Sequence, residues 1–180
     1  NLGNGIGSQM TRYYFENYDD AAEYLSRARN RSKGRPLPGS GTRLMDMGRV
    51  NVAGTYMDAI GIFLYRTCVF RYLKTSSGKQ WMSASTGGWV TQTTNTRLRN
   101  YLPAGFGYWR LHGVDLLAKY HGLGGFSWNK TPCYLLTHET LFDAKTKKIR
   151  YEGRRAVEVK EMFQTNMFQH LNTSHNSKRK

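Results

Sequence analysis

Residues Ala59–Leu73 read AIGIFLYRTCVFRYL, and this stretch carries the clearest structural signal in the chain. It is rich in β-branched and aromatic residues, contains no proline and has a single glycine, a composition typical of β-strands. The stretch can form either one long bent strand or two paired strands. Because alternate residues of a strand point to the same side, we expect Phe70 and Tyr72 on one face of the sheet and Arg71 on the other.

The segments on either side extend the predicted sheet. Ser76–Gly78 predicts a turn and Gln80–Ser85 a returning strand, which would form a hairpin with the central stretch. On the N-terminal side, Thr42–Met47 predicts a further strand, whereas Val50–Met57 is ambiguous. Thr140–Thr146 predicts a turn. This turn leads into Lys147–Tyr151. Shorter strand signals occur at Thr11–Phe15, Gly105–Leu111, Phe126–Trp128 and Tyr134–Thr137.

Two helices are predicted near the ends of the chain. The first is Asp19–Arg29, with a cap among Asn17–Asp20 and acidic residues in its first turn, where they suit the helix dipole. Apolar residues at helical spacing predict another over Arg154–Phe168. Together with the strands, these helices indicate an α+β fold built on a twisted antiparallel sheet with two or three short helices.

The segment Thr86–Pro103 predicts a turn followed by a third helix. Gly87 and Gly88 supply the backbone freedom for a tight turn, and we expect Trp89 to pack beneath it. The helix would span Asn95–Leu102, capped by Thr93 or Thr94 and ended by the proline. Leu98 and Leu102 would face inward, whereas Arg97 and Arg99 would point outward.

The composition is that of a folded domain rather than a disordered chain. Of the 180 residues, 39% are hydrophobic and 13% aromatic, which is enough to build a core. We expect a single α+β domain over residues 10–171. Residues 1–9 are expected to be a cloning remnant or disordered, and residues 172–180 a disordered basic tail.

Hydropathy and cysteine content point to the cytoplasm. The longest apolar stretch, Ala59–Tyr65, is far too short to span a bilayer, so no membrane association is expected. Cys68 and Cys133 are the two cysteines, too few for a disulfide framework, which favours a reducing compartment. Nothing in the sequence indicates the oligomeric state.

The charge distribution provides the main functional signal. The chain has 27 Lys and Arg against 12 Asp and Glu, a formal net charge of +15. Ser26–Arg49 holds seven cations and one acid, Asp46, and includes the Pro- and Gly-rich loop Lys33–Gly41. The cations are Arg27, Arg29, Arg31, Lys33, Arg35, Arg43 and Arg49. Such a loop can lie along a phosphate backbone, so DNA or RNA is the expected partner. For Arg27–Arg31, a favourable position at a helix C-terminus is an alternative explanation.

Two further features are candidate contacts with nucleic acid. The Gly87–Gly88 turn and the following helix N-terminus can hold a phosphate, with Arg97 and Arg99 beside it. The alternative is a purely structural turn. Tyr72 and Trp109 are candidates for stacking on unpaired bases, although such aromatics among arginines are also typical of a buried core.

No pattern in the sequence identifies a catalytic residue, and we expect no cofactor and no bound metal. The five histidines lack metal-ligand spacing. His138 and Cys133 resemble a Cys–His pair, but chance adjacency explains them better. A nuclease would need convergent carboxylates, for which Asp115, Glu139 and Asp143 are the candidates.

Ser26–Pro103 resembles a family of small, largely uncharacterised proteins of tailed bacteriophages. The resemblance rests on the N-terminal turn Ala28–Ser32 with its arginines and asparagine, the strand pair around Ile60–Tyr72, and TGGWVTQTTNTRLRNYLP from Thr86 to Pro103. The chain departs from the family by a less polar turn between the two strands and an inserted stretch near Gly48–Tyr56. The resemblance implies a phage protein acting in the host cytoplasm and carries over no catalytic residue.

Three functions are consistent with these observations. The leading hypothesis is a small basic phage-type protein that binds nucleic acid through phosphate contacts without catalysis. A phage host-takeover or anti-defence protein, docking its basic face on an acidic host protein, is the first alternative. A nucleic-acid-processing enzyme such as a nuclease is the second, and a virion component packed against the genome is a further one.

Overall fold

The computed structural model describes residues 15–111, 113–119 and 133–151. Within them the protein has two antiparallel sheets and two α-helices, which confirms the predicted α+β fold. The helices are α1 (Tyr18–Ser26) and α2 (Gln92–Tyr101). The strands are β1 (Arg35–Pro36), β2 (Thr42–Val52), β3 (Thr55–Leu64), β4 (Thr67–Lys74), β5 (Gln80–Ala84), β6 (Phe106–Leu111), β7 (Val114–Lys119), β8 (Cys133–Leu135), β9 (Thr140–Asp143) and β10 (Ile149–Tyr151).

The larger sheet has the strand order β1-β2-β3-β4-β5-β9-β10, and the smaller sheet has the order β6-β7-β8. From β1 to β5, strands that are consecutive in the chain are neighbours in the sheet, so successive turns alternate between its two ends. One end of the larger sheet contains the first residues of β2 and β4 and the last residues of β3 and β5. We call it the upper end. The opposite end, which carries the β2–β3 and β4–β5 turns, is the lower end.

The central stretch Ala59–Leu73 forms two paired strands rather than one bent strand. β3 and β4 are antiparallel, with Leu64 opposite Thr67, so Tyr65 and Arg66 alone make the turn between them. Tyr65 adopts a φ of +55°, in the left-handed region that residues other than glycine rarely occupy. The register shifts once, at Ile62 and Phe63.

The ambiguous segment Val50–Met57 contains the turn of a second hairpin, and β2 is therefore longer than predicted. Ala53 and Gly54 form its two-residue turn, with φ values of +48° and +88°. Asn51 Oδ1 accepts a hydrogen bond from the Gly54 amide at 2.8 Å, which closes the turn. Positive φ at both turn positions matches the twist of an antiparallel hairpin.

The loop Lys33–Gly41 is more ordered than the sequence predicts. Arg31–Lys33 is a single 3₁₀ turn, and Arg35–Pro36 forms β1, paired antiparallel with β2. Proline is compatible with β1 because this strand lies at the edge of the sheet. Within this loop, Gly34 and residues 37–41 lie outside any helix or strand, and residues 37–41 are at the upper end.

The described helices differ from their predictions at their ends. Asn17 caps α1 as expected, because its Oδ1 accepts a hydrogen bond from the Asp20 amide at 2.9 Å. The helix ends at Ser26, three residues before the predicted end, and its last turn holds no basic residue. The helix dipole acts only within the last turn, so it does not account for Arg29 and Arg31.

α2 begins earlier than predicted. Its cap is Thr91, whose Oγ1 accepts a hydrogen bond from the Thr94 amide at 3.1 Å, so the predicted caps Thr93 and Thr94 are wrong. Leu98 and Leu102 are buried as expected. The helix therefore packs through the predicted face while starting one turn further upstream.

Both helices pack on the same face of the larger sheet. Leu25 of α1 and Leu98 of α2 belong to one core cluster with Phe70 and Tyr72 of β4. Side chains of the smaller sheet, such as Leu117, join the same cluster. The opposite face carries a second, smaller cluster, formed by Val52, Met57, Ala59, Leu73, Trp81 and Leu141.

The remaining strand predictions have mixed outcomes. Those at Gly105–Leu111 and Tyr134–Thr137 overlap β6 and β8, and β10 lies in the segment Lys147–Tyr151, for which only a preceding turn was predicted. The predicted turn Thr140–Thr146 is wrong in its first half, which forms β9 between β5 and β10. β7 has no counterpart in the sequence-based prediction. The predictions for residues 1–14, 126–128, 154–168 and 172–180 lie outside the described residues.

The cap assignment of α2 is directly testable. Replacing Thr91 with Ala removes the hydroxyl that accepts the Thr94 amide, and we expect the free energy of unfolding to fall by about 1 kcal/mol. The same change at the exposed Thr93, one residue inside the helix, should leave stability unchanged or slightly higher, because Ala favours helix. Urea unfolding followed by circular dichroism measures both, and equal losses would contradict Thr91 as the cap.

Candidate functional site

The fold divides the cations of Ser26–Arg49 into two groups, and the first group is occupied within the protein. Arg27 pairs with Glu23 at 3.3 Å. Arg49 lies 3.8 Å from Asp58 and donates a hydrogen bond to Ser76 Oγ at 3.3 Å. Both ion pairs are exposed, so each contributes about 1 kcal/mol or less to stability.

Arg35 and Arg43 hold the backbone of the basic segment, residues 26–49, in place through hydrogen bonds to carbonyl oxygens. Arg35 donates a hydrogen bond to the Tyr24 carbonyl oxygen at 2.9 Å, and its guanidinium lies 3.8 Å from the centre of the Tyr24 ring. Arg43 donates to the carbonyl oxygens of Lys33 at 2.9 Å and Gly34 at 3.2 Å. These two predicted phosphate-binding residues therefore fix the backbone around the turn.

Arg29, Arg31 and Lys33 form the second group, which we call the basic turn. All three are exposed, and within the described part of the chain their side chains make no hydrogen bond or ion pair. The backbone of this turn is held by a hydrogen bond in which Asn30 Oδ1 accepts from the Ser32 amide at 3.0 Å. At Gly34, with a φ of +69°, a Cβ would overlap the Leu44 carbonyl oxygen.

The glycine turn at residues 87–88 is already satisfied internally. The Gly87 amide donates to Ser85 Oγ at 3.0 Å, and the Gly88 amide donates to Thr86 Oγ1 at 3.3 Å. At the start of α2, Thr91 accepts the Thr94 amide. A phosphate at this turn would have to compete with these hydroxyl groups for the amide donors.

The tertiary structure brings Arg97 of α2 next to the irregular loop 37–41. Its guanidinium lies against Gly39, so closely that a Cβ at that position would overlap it. Arg97 Nε is buried and has no hydrogen-bond partner in the residues that the structure describes. Arg99, two residues on, is exposed. The two basic features predicted separately from the sequence thus meet at the upper end.

The observed burial changes the assessment of the aromatic residues that were considered for stacking on bases or for packing under the glycine turn. Tyr72 is 0% exposed and packs against Phe15 and Phe70 in the core, so it cannot stack on a base. Trp109 is only half-buried in β6. Trp89, expected beneath the glycine turn, is 66% exposed instead.

Tyr65, which precedes Arg66 in the sequence but was not selected as a stacking candidate, is 70% exposed at the upper end. Its side chain is exposed because it lies in the β3–β4 turn, outside the face that the helices cover. The available signal was the length of the apolar stretch, which exceeds a typical strand and therefore implies a turn near its middle.

The carboxylates proposed for a nuclease have separate structural roles. Asp115 is buried and accepts hydrogen bonds from Thr86 at 2.8 Å and Tyr108 at 2.7 Å, with Arg110 at 3.1 Å. Asp143 accepts the amides of Lys145 and Thr146, each at 2.8 Å. In residues 15–111, 113–119 and 133–151, no three His, Cys, Asp or Glu side chains lie close enough to hold a metal ion.

His138 belongs to a polar cluster with Arg71, Ser83 and Cys68. Its Nε2 lies 3.0 Å from the Cys68 carbonyl oxygen, which can only accept, so Nε2 carries the proton. Nδ1 then accepts from Ser83 Oγ at 3.0 Å. Arg71 donates to Ser83 Oγ at 3.1 Å and to the His138 carbonyl at 2.7 Å. Both ring nitrogens are engaged, which leaves no role for a pair with Cys133.

A shallow cavity of about 650 Å³ lies at the lower end of the larger sheet, whereas Tyr65 lies at the upper end. Two of its cations have partners: Lys79 lies 3.8 Å from Asp143, and Lys147 Nζ donates to the Ala144 carbonyl oxygen at 2.6 Å. Lys145, which also lines the cavity, is exposed.

Comparisons with known proteins leave the chain without an assigned relative. No family model, no curated protein and no solved structure matches it. The resemblance to tailed-phage proteins therefore stays a prediction. The helices within the described residues are all too short or too polar to cross a membrane.

The state of His138 predicts a pH dependence of stability. Desolvation of the ring and the nearby Arg71 charge lower the pKa of His138 to about 3, from an unfolded value near 6.5. Between these values the unfolded chain binds the extra proton, so the free energy of unfolding should fall as the pH drops below about 6.5, by up to about 1.4 kcal/mol per unit.

Urea unfolding at a series of pH values tests this prediction. The variant His138→Gln cannot titrate, so the difference between wild type and variant isolates the histidine from the carboxylates, which titrate in both. We expect that difference to shrink steadily from pH 6.5 to pH 4. Parallel pH profiles for the two proteins would show that His138 does not titrate with a lowered pKa.

Proposed function

We propose that this protein binds nucleic acid through contacts with phosphate groups and does not catalyse a reaction on it. The observation that carries the proposal is the basic turn, in which Arg29, Arg31 and Lys33 are exposed and lack partners among the described residues. Arg43, by contrast, is engaged in holding the backbone of that turn.

The physical reason is electrostatic. Three like charges on a rigid turn repel one another and attract a polyanion, and binding neutralises them while releasing counterions from the nucleic acid. Arginine contributes more than charge, because its planar guanidinium can donate two hydrogen bonds to one phosphate. The net charge of +15 adds a long-range attraction of the same sign.

Arg97 and Arg99 support a second set of phosphate contacts. Because Arg97 lies against Gly39, the loop 37–41 connects these arginines to the basic segment. A nucleic-acid strand whose phosphates follow the edge strand β1 would meet the basic turn first and α2 afterwards. The resemblance noted above supports a phage origin and a cytoplasmic setting as part of the same proposal.

The proposal predicts that binding depends on the basic turn and on salt. The variant Arg31→Glu/Lys33→Glu should bind labelled DNA or RNA more than tenfold more weakly than wild type. Each lost contact should reduce the slope of log K against log salt by about 0.9 for duplex DNA and about 0.7 for a single strand. Fluorescence anisotropy at several salt concentrations measures both quantities.

A matched control separates position from total charge. The variant Lys145→Glu/Lys148→Glu changes two exposed lysines beyond β9 and lowers the net charge by the same amount. It should retain nearly wild-type affinity. Equal weakening by both variants, or affinity that does not change with salt, would contradict a phosphate site at the basic turn.

Purification from host lysate tests the acidic-protein alternative. Nucleic acid should copurify and be removed by nuclease. A protein that stays bound after nuclease digestion and is released by Arg31→Glu/Lys33→Glu would instead identify the basic turn as a protein-docking site.

A further inference from the structure

Three chain connections lie side by side at the upper end of the larger sheet. They are the loop 37–41 before β2, the Tyr65–Arg66 turn between β3 and β4, and the segment 85–91 between β5 and α2. Their proximity follows from the antiparallel order β2-β3-β4-β5, which places the start of β2 and the last residues of β3 and β5 together at the upper end.

Direct contacts join the three connections into one surface. The Tyr65 amide donates to the Gly41 carbonyl oxygen at 2.7 Å, and Ser40 Oγ lies 3.4 Å from the Tyr65 hydroxyl. Gly41 has no room for a side chain, since a Cβ there would come within 2.5 Å of the Tyr65 ring.

Close approaches at two further glycines join the segment 85–91 to the β3–β4 turn, and the loop 37–41 to α2. A Cβ at Gly87 would overlap Thr67, which directly follows the Tyr65–Arg66 turn. On the other side, the Arg97 guanidinium occupies the space that a Cβ at Gly39 would need. Glycines at residues 39, 41 and 87 thus allow the neighbouring chains to approach closely.

Two large aromatic side chains are exposed on this surface. Tyr65 is 70% and Trp89 is 66% accessible, although burying such rings is favourable and the core has many aromatic contacts. Tyr65 also keeps a φ of +55°, where glycine or asparagine would be less strained. Neither core packing nor solubility accounts for two exposed rings in these positions.

The charge around the two rings identifies their partner. From Ala59 to Val114 the chain contains no Asp or Glu, and the carboxylate of Asp115, which Thr86 contacts, is buried and held by Tyr108 and Arg110. The exposed charges beside the two rings therefore include the cations Arg66 and Arg99. Aromatic rings beside arginines are the combination that holds unpaired bases, the rings by stacking and the arginines by contacting phosphates. Duplex DNA offers no comparable contact, because its bases are already stacked on one another.

We propose that Tyr65 and Trp89, flanked by Arg66 and Arg97, form a stacking platform for unpaired bases, so that the preferred ligand is single-stranded. This inference rests on the proposed function and adds the form of nucleic acid that is bound. The basic turn would hold the backbone of the strand, and the platform would select strands whose bases are free.

The test compares labelled oligothymidine with a duplex of the same length by fluorescence anisotropy. Trp89→Ala should weaken single-strand binding about fivefold or more, and Tyr65→Asn, which tolerates the positive φ, should do the same. Duplex binding should change less than twofold. The slope of log K against log salt should stay unchanged for both variants, because neither removes a charge.

Two controls make the result specific. Tyr56→Ala removes another exposed tyrosine, 58% accessible and near the lower end, and should not affect binding. Trp89→Phe retains a ring that can stack and should restore affinity to within a few-fold of wild type. Thermal unfolding should be unchanged for the Trp89 and Tyr56 variants, whose side chains are exposed. For Tyr65→Asn, the loss of the ring beside Gly41 and the relief of strain at a φ of +55° act in opposite directions, so this variant should also stay folded.

The outcomes separate this inference from the proposed function. Equal affinity of wild type for both ligands, or no effect of Trp89→Ala and Tyr65→Asn, would overturn the platform. If Arg31→Glu/Lys33→Glu still weakened both ligands in that case, phosphate binding would stand without it. If wild type bound neither ligand at low salt, both proposals would be wrong.

Discussion

The pairing of β3 with β4 is the constraint on which the rest of the structure depends. Ile60 lies opposite Tyr72 and Ile62 opposite Phe70, so four large side chains share the face that α1 and α2 cover. A shift of one residue would turn all of them to the other face and expose the core. The same register places the Tyr65–Arg66 turn at the upper end, next to the start of β2 and the segment after β5.

The cations of this chain fall into structural and exposed classes, and only the second bears on binding. Arg35 and Arg43 hold the backbone near β1, and Arg71 is buried against Ser83 and His138. The basic turn remains exposed on a segment that these hydrogen bonds keep rigid. A rigid site loses less conformational entropy on binding than a flexible tail, so the structural arginines support the proposed contacts indirectly.

Much of the fold could be predicted from local sequence, and the failures have identifiable physical causes. The β3–β4–β5 meander, the Asn17 cap and the inward side of α2 follow from strand composition, capping chemistry and helical spacing. Strand β9 could not be predicted, because its place between β5 and β10 depends on long-range pairing. Tyr72 was misjudged because aromatic residues near arginines look alike whether they are buried or exposed, and Trp89 was misjudged because a glycine turn does not reveal on which side its aromatic neighbour lies.

The sequence by itself determined the fold class and the location of the excess charge, since both depend on residue types and short-range spacing. The Arg27–Glu23 pair has the i,i+4 spacing of a helix and is local. Only the tertiary structure decided which of the other cations are free, because Asp58 and the backbone of residues 33–34 become partners of Arg49 and Arg43 through folding. It also brought Arg97 to Gly39 and placed Tyr65 and Trp89 at the same end of the sheet. Contacts of this kind join residues far apart in the chain, and no local pattern encodes them.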